Sequence, residues 1–199
     1  MTKKHTIRIV GGEYRRTPIP VIEGTGLRPT PDRVRETLYN WLQHLWGGNF
    51  TDKHVLDLFA GSGALGFEAA SRGAAHVQMA ENNHEAVLAL RALRTKLGAS
   101  SVRIHEGDAL AAVSHLNASP FDLVLLDPPF GQGWLDKLWT PLVRVLNPTH
   151  GLIYIESETP VRPPASFEII RKGKAGNVHF HLIQFAALQK IDNNLPIPK

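Results

Sequence analysis

Four acidic residues stand at or just beyond the ends of four successive apolar runs: Asp57, Glu81, Asp108 and Asp127. A purely structural sheet has no need of a carboxylate at each strand end, so these four are candidate ligand-binding groups. Asp57 opens the stretch Asp57-Leu58-Phe59-Ala60-Gly61-Ser62-Gly63-Ala64-Leu65-Gly66. This reads as a buried strand, a tight turn and the first turn of a helix, the way a nucleotide-binding α/β half begins. Gly61 and Gly63 leave room for a ligand to approach the backbone, and Gly66 lets the helix pack close to the strand. A carboxylate at Asp57 would repel a pyrophosphate and suits a cationic ligand such as a sulfonium or an amine. Glu81 follows Gly61 by twenty residues, the interval at which this architecture places an acid on ribose hydroxyls.

The fourth acid heads Asp127-Pro128-Pro129-Phe130. Two prolines hold a rigid turn and have no N–H to offer, so the site is rich in acceptors: the Asp127 carboxylate and the Pro128 carbonyl. Phe130 adds a flat apolar face. Acceptors beside an aromatic ring suit a planar base that carries an exocyclic amino group. A strand stop followed by a core phenylalanine would give the same four residues, and the glycine loop and spaced acids weigh against it. His179 and His181 share a strand face, but no third ligand stands at metal-binding spacing, and no metal is expected.

The elements that must position these groups follow from periodicity. Ile7–Val10 and Thr17–Ile22 read as two short strands joined by Gly11-Gly12-Glu13-Tyr14-Arg15-Arg16, a basic hairpin arm over residues 1–30. Thr30-Pro31 opens a helix over 31–46 with Val34, Leu38, Trp41, Leu42 and Leu45 on its buried face and Arg33 and Arg35 exposed. Strands follow at His76–Glu81, Ser101–Glu106, Phe121–Asp127 and Gly151–Glu156, alternating with helices at His84–Leu97, after Asp108 and at Leu135–Leu146. Phe167–Ile170 and Val178–Phe185 close the sheet as an antiparallel pair. The expected fold is α/β: a doubly wound, mostly parallel seven-stranded sheet with a small N-terminal hairpin and helix extension. Its main domain covers residues 31–191, and 192–199 form a tail.

The 199 residues carry no cysteine, which removes disulfides, thiolate metal sites and cysteine nucleophiles. No apolar run approaches membrane-spanning length, so a cytoplasmic protein without membrane contact is expected, a monomer by default. Residues 1–35 hold eight Lys and Arg against three Asp and Glu, an excess of five that exceeds the net +4 of the whole chain. Arginine dominates there, which suits bidentate phosphate contacts, while a solvated basic face would look the same.

Together, Leu27-Arg28-Pro29-Thr30, the glycine loop from Asp57 to Gly66 and Asp127-Pro128-Pro129-Phe130 resemble the ribosomal RNA small subunit methyltransferase D family. Arg33-Val34-Arg35-Glu36-Thr37-Leu38 and the late Gly173-Lys174-Ala175-Gly176 extend the resemblance over nearly the whole chain. It implies a Rossmann-like, S-adenosylmethionine-dependent enzyme that methylates guanine N2 in 16S ribosomal RNA, in the assembled or assembling small subunit. Carried onto this chain, Gly61 and Gly63 would line the methionine and ribose of the cofactor, with Asp57 near its amino group. Glu81 would take the ribose hydroxyls, Asp108 the adenine amino group, Ala109 would pack by the ring, and Thr30 would approach the carboxylate. Asp127, Pro128 and Phe130 would be catalytic. Arg8, Arg15, Arg16, Arg28, Arg33 and Arg35 would hold RNA, with Arg28 as well placed for the cofactor. Asn83 departs from the family, which often has aspartate there. A DNA adenine-N6 methyltransferase shares the Asp-Pro-Pro-Phe chemistry and is the alternative, although the chain lacks room for a large target-recognition domain. A nicotinamide-linked oxidoreductase would leave Asp127-Pro128-Pro129-Phe130 without a role.

Overall fold

The computed structural model describes residues 7–21, 31–116 and 120–186. Its centre is β6 (Leu123–Leu126), four residues that are all buried. An apolar run buried on both faces belongs inside a parallel sheet, and β6 pairs in parallel with β3 (His54–Asp57) and with β7 (Leu152–Ser157). Outward from β3 lie β4 (His76–Glu81) and β5 (Val102–Glu106), both parallel. Beyond β7, the antiparallel strands β9 (Val178–Phe185) and β8 (Phe167–Ala175) complete the order β5-β4-β3-β6-β7-β9-β8. Strand order reverses between β3 and β6, and such a switch point opens a crevice at the carboxyl ends of the strands. This is the expected Rossmann-like, mostly parallel seven-stranded sheet.

Helices α2 (Ala64–Ser71) and α3 (His84–Leu97) cover one face with α1 (Asp32–Leu45), and α4 (Ala109–His115) and α5 (Trp134–Val145) cover the other. In α1 the buried stripe is Val34, Leu38 and Leu42, with Tyr39, whose hydroxyl donates to the Leu65 carbonyl at 2.6 Å. Leu45, expected inside, is exposed because the helix ends there and turns away over Trp46. Trp41 is half-buried against Phe180, 5.6 Å between ring centroids. Compared with the periodicity reading, β6 is shorter, and β8 runs five residues further, to Ala175, through a bulge between Ile169 and Arg171.

The basic hairpin is β1 (Ile7–Arg8) paired with β2 (Pro18–Ile19). Ile7, Ile9 and Ile19 are buried in the same core as α1, α2 and β3. The connecting turn is bolted to the end of α2. The buried Glu68 carboxylate accepts from the N–H groups of Val10 and Gly11 at 2.7 and 2.8 Å and from Arg72 Nε at 2.9 Å. Ser71 Oγ accepts from the Tyr14 N–H and donates to the Gly11 carbonyl. Arg35 corrects the reading of an exposed cation. It is fully buried, donating to the Arg8 carbonyl and pairing with Asp32 at 2.8 Å, because the hairpin folds over its face of α1. Arg8, Arg15, Arg16 and Arg33 are exposed, and Arg8 also faces Asp32 at 3.4 Å.

Gly12 shows how tightly the hairpin seats. Its φ is +76°, and a Cβ there would lie 1.8 Å from the Ser71 carbonyl oxygen. Gly12→Ala is expected to destabilise the protein by about 2 kcal/mol or more, because both the backbone and the contact resist it. A urea midpoint close to that of the parent would refute this account of the docking.

Candidate active site

A cavity of about 230 Å³ lies at the carboxyl edge of the sheet, over the switch point. Glu81, Asp108, Ala109 and Asp127 line it, four of the residues singled out by the sequence. Pro129 lines the cavity, whereas Pro128 is buried and is not among its lining residues. Phe130 is 44% exposed. The core-phenylalanine reading therefore fails, and Phe130 follows the lining residue Pro129 without itself lining the cavity.

Glu81 ends β4, and its carboxylate ties the site together. Oε2 accepts from the Gly61 N–H at 2.7 Å and Oε1 from the Asn83 N–H at 2.8 Å. A carboxylate has about four lone-pair directions, so these two bonds leave room for hydroxyl donors. Asp108 precedes α4, and its side chain accepts from the Ala111 N–H at 2.8 Å as the N-cap. Asn83 caps α3 in the same way, accepting from the Ala86 N–H at 2.9 Å. Asparagine caps as well as aspartate does, so the departure from the family keeps the helix start.

The glycines divide their work. Gly61 lends its N–H to Glu81. Gly63 turns at φ +81°, and the space beside it is taken by Leu90 and Phe67, so it serves packing and does not line the cavity. Gly66 is the close helix–strand approach: an added Cβ would stand 2.5 Å from Met79 Cε and 3.1 Å from Asp57 Oδ2. Its N–H donates to that same Asp57 oxygen at 3.1 Å. Asp57 is buried and is not among the residues that line the cavity. Thr30 and Arg28 fall outside the described residues.

Sequence reasoning gave no role to one pair. The rings of Phe59, in the glycine loop, and Trp134, at the start of α5, meet edge to face with centroids 5.3 Å apart. Both line the cavity, so an aromatic wall joins the glycine loop to the segment that follows Asp127-Pro128-Pro129-Phe130. Trp134 Nε1 donates to Gln132 at 3.0 Å, which fixes the indole. The signal was present, since each is an aromatic residue within a few positions of a motif, but their meeting is tertiary.

Burial pushes the Asp57 carboxyl up to about 7; N–H bonds from Gly66 and Phe59 oppose the rise, and the Glu81 charge adds to it. The folded protein thus holds a proton that the unfolded chain releases near pH 4. The stability this supplies is complete below pH 4 and is lost as pH rises toward 7. Asp57→Asn removes the effect. Between pH 5 and pH 7.5 the parent is expected to lose about 2 kcal/mol more than the variant, read from urea midpoints. Parallel pH profiles for the two proteins would contradict the assignment.

Comparison with known proteins extends the geometry. The family model described as "Conserved hypothetical protein 95" matches residues 7–184. The chain is 37% identical over 194 residues to ribosomal RNA small subunit methyltransferase D of Escherichia coli, covering 94% of this chain and 93% of that one. The protein of the same name from Haemophilus influenzae is 35% identical, covering 91% and 95%. The solved structure of yhhF from Escherichia coli superposes with a TM-score of 0.79 at 38% identity, covering 92% of this chain and 99% of the other. By a family match over most of its length and by these relatives, the chain belongs to the ribosomal RNA small subunit methyltransferase D family.

Proposed function

We propose that this protein transfers a methyl group from S-adenosylmethionine to the exocyclic N2 of a guanine in 16S ribosomal RNA, in the cytoplasm, acting as a monomer on the assembled or assembling small subunit. The observation that carries the reading is one cavity lined by Glu81, Asp108 and Asp127, with the exposed Phe130 three residues beyond Asp127 in the chain. The names of the family relatives support RNA as the substrate.

The donor set suits the cofactor. Glu81 keeps lone pairs for ribose hydroxyls, Asp108 serves an adenine amino group, and Ala109 packs by the ring. Asp57, which accepts from the Gly66 N–H, favours the cationic amino end, and by the family resemblance Thr30 would serve the carboxylate. When bound, S-adenosylmethionine supplies a methyl group already activated on a sulfonium.

What remains for the chain is alignment and charge. The guanine N2 lone pair is delocalised into the ring, which makes the nitrogen a poor nucleophile. Hydrogen bonds from its N–H groups to the Asp127 carboxylate and the Pro128 carbonyl favour a pyramidal nitrogen while the ring stacks on Phe130. The same acceptors stabilise positive charge on N2 as the new C–N bond forms. An N2 proton then passes to the Asp127 carboxylate and on to water. Asp127 need not be a strong base, since that proton becomes acidic only with transfer. Arg8, Arg15, Arg16 and Arg33 would hold RNA phosphates from the hairpin side, with Arg28 beside them or at the cofactor.

The test is methyl transfer from labelled S-adenosylmethionine to small subunits, naked small-subunit RNA and duplex DNA, followed by nucleoside analysis. N2-methylguanosine is the expected product, and N6-methyladenine in DNA would replace this reading with the adenine alternative. Asp127→Ala is expected to bind the cofactor as the parent does and to lose about 100-fold or more in single-turnover rate. Equal losses of binding and rate would remove Asp127 from the reaction.

A further inference from the structure

The segment Gly173-Lys174-Ala175-Gly176 has no part in the cavity, yet three of its residues have clear structural work. Gly173 faces the Phe180 ring, where an added Cβ would stand 2.2 Å from the ring edge. That ring in turn packs on Trp41 of α1. Ala175 pairs with Val178 to close a two-residue turn, and Gly176 supplies the φ of +59° that such a turn needs. Lys174 alone is left without a packing role. It is exposed and, among the described residues, joins no ion pair; the same holds for Lys172.

Register shows what surrounds the two lysines. Lys172 lies across from His181 and Lys174 across from His179, and on the next strand these histidines face Ile155 and Ser157. Side chains paired across strands share a sheet face. Two lysines, two histidines, a serine and an isoleucine therefore occupy these paired positions, with the exposed Glu158 just past the end of β7. The histidine rings stack with centroids 6.4 Å apart, and the buried His181 Nδ1 has no hydrogen-bond partner. Glu156, the residue before Ser157, alternates to the opposite face, where Tyr154 donates to it at 3.0 Å.

The patch is also well placed. β9 runs antiparallel to β7, so His179 and Lys174 stand at the same sheet edge as Asp127. Three strand spacings separate β8 from β6, roughly 14 Å. The lysine-bearing face is the one covered by α5, through Trp139 against Phe167, and the first residue of α5 is the cavity residue Trp134.

We infer that the β8–β9 hairpin is a second RNA-docking edge, on which Lys172 and Lys174 hold the phosphates of the strand flanking the target base. The inference rests on the proposed RNA substrate. It adds a basic flank three strands beyond Asp127, separate from the arginines of the N-terminal hairpin. Lysines on an edge strand also deter strand-to-strand aggregation, and that role alone would leave RNA affinity indifferent to them.

The experiment is binding of small-subunit RNA and methyl transfer by the parent, by K172Q/K174Q and by K96Q, an exposed lysine on α3 as control. Losing two phosphate contacts should lower the slope of log affinity against log salt by about 1.5. It should also raise KM for RNA on the order of ten-fold, with kcat, cofactor affinity and urea midpoint unchanged. K96Q should match the parent. If K172Q/K174Q binds RNA with the parent's slope and KM, or if K96Q weakens binding equally, the docking edge is overturned. A parent that binds RNA through these lysines but methylates no guanine would overturn the proposed activity and leave the docking edge standing.

Discussion

The site depends on one carboxylate holding two backbone N–H groups. β3 and β4 are parallel neighbours that end side by side next to the switch point, and the loops that follow them need a tie to keep a fixed spacing. Glu81 supplies it, taking the N–H of Gly61 from one loop and of Asn83 from the other. The glycine turn is thereby fixed relative to the start of α3, and the crevice between them has a defined shape before any ligand enters. Charge-assisted bonds of this kind are about twice as strong as neutral ones, and Glu81 is largely withdrawn from water. The tie therefore stiffens the loop without depending on long side chains.

The same economy runs along the edge. Asp57 and Asp108 also accept from backbone N–H groups, of Gly66 and Ala111, and none of these three acids joins an ion pair among the described residues. Peptide dipoles offset part of their charge, but no side-chain cation cancels it. Burial is the main reason the Asp57 carboxyl is raised, and the Glu81 charge adds a smaller share from the crowding of acids here. A positively charged ligand entering the crevice would relieve that crowding, whereas a pyrophosphate would add to it. Electrostatics thus separates this site from a dinucleotide pocket even though the glycine turn looks alike.

Much of this was legible in the chain itself. β4, α3 and β9 follow hydrophobic periodicity to the residue, because each combines a clean period with a cap or turn at its ends. The acids at strand ends were legible because each closes an apolar run, although the backbone N–H groups that Asp57, Glu81 and Asp108 hold were not. What could not be read were tertiary facts. Arg35 looks like a surface cation on a helical wheel, and only the hairpin folding over it makes it a buried one. Gly63 looks like a ligand glycine, and only the approach of Leu90 and Phe67 shows that the core needs the space. The Phe59–Trp134 wall joins residues far apart in sequence, which no local pattern records.

The arginines of the first thirty-five residues show why charge counting needs a fold. Burying a guanidinium is costly unless its donors are satisfied, so Arg35, held by Asp32 and the Arg8 carbonyl, is committed to structure. Asp32 is shared, since it also faces Arg8 from the solvent side. One acid and one carbonyl thus fasten α1 to the hairpin, while Glu68 and Ser71 fasten the hairpin's turn to α2. The hairpin is built into the core rather than tethered to it, and Ile7, Ile9 and Ile19 are the reason it stays there. Its exposed arginines, Arg8, Arg15 and Arg16, and Arg33 on the adjoining α1 therefore sit on a rigid platform. A cation on a fixed backbone loses less entropy on meeting a phosphate than one on a free arm, so the packing beneath the hairpin contributes to whatever its surface binds.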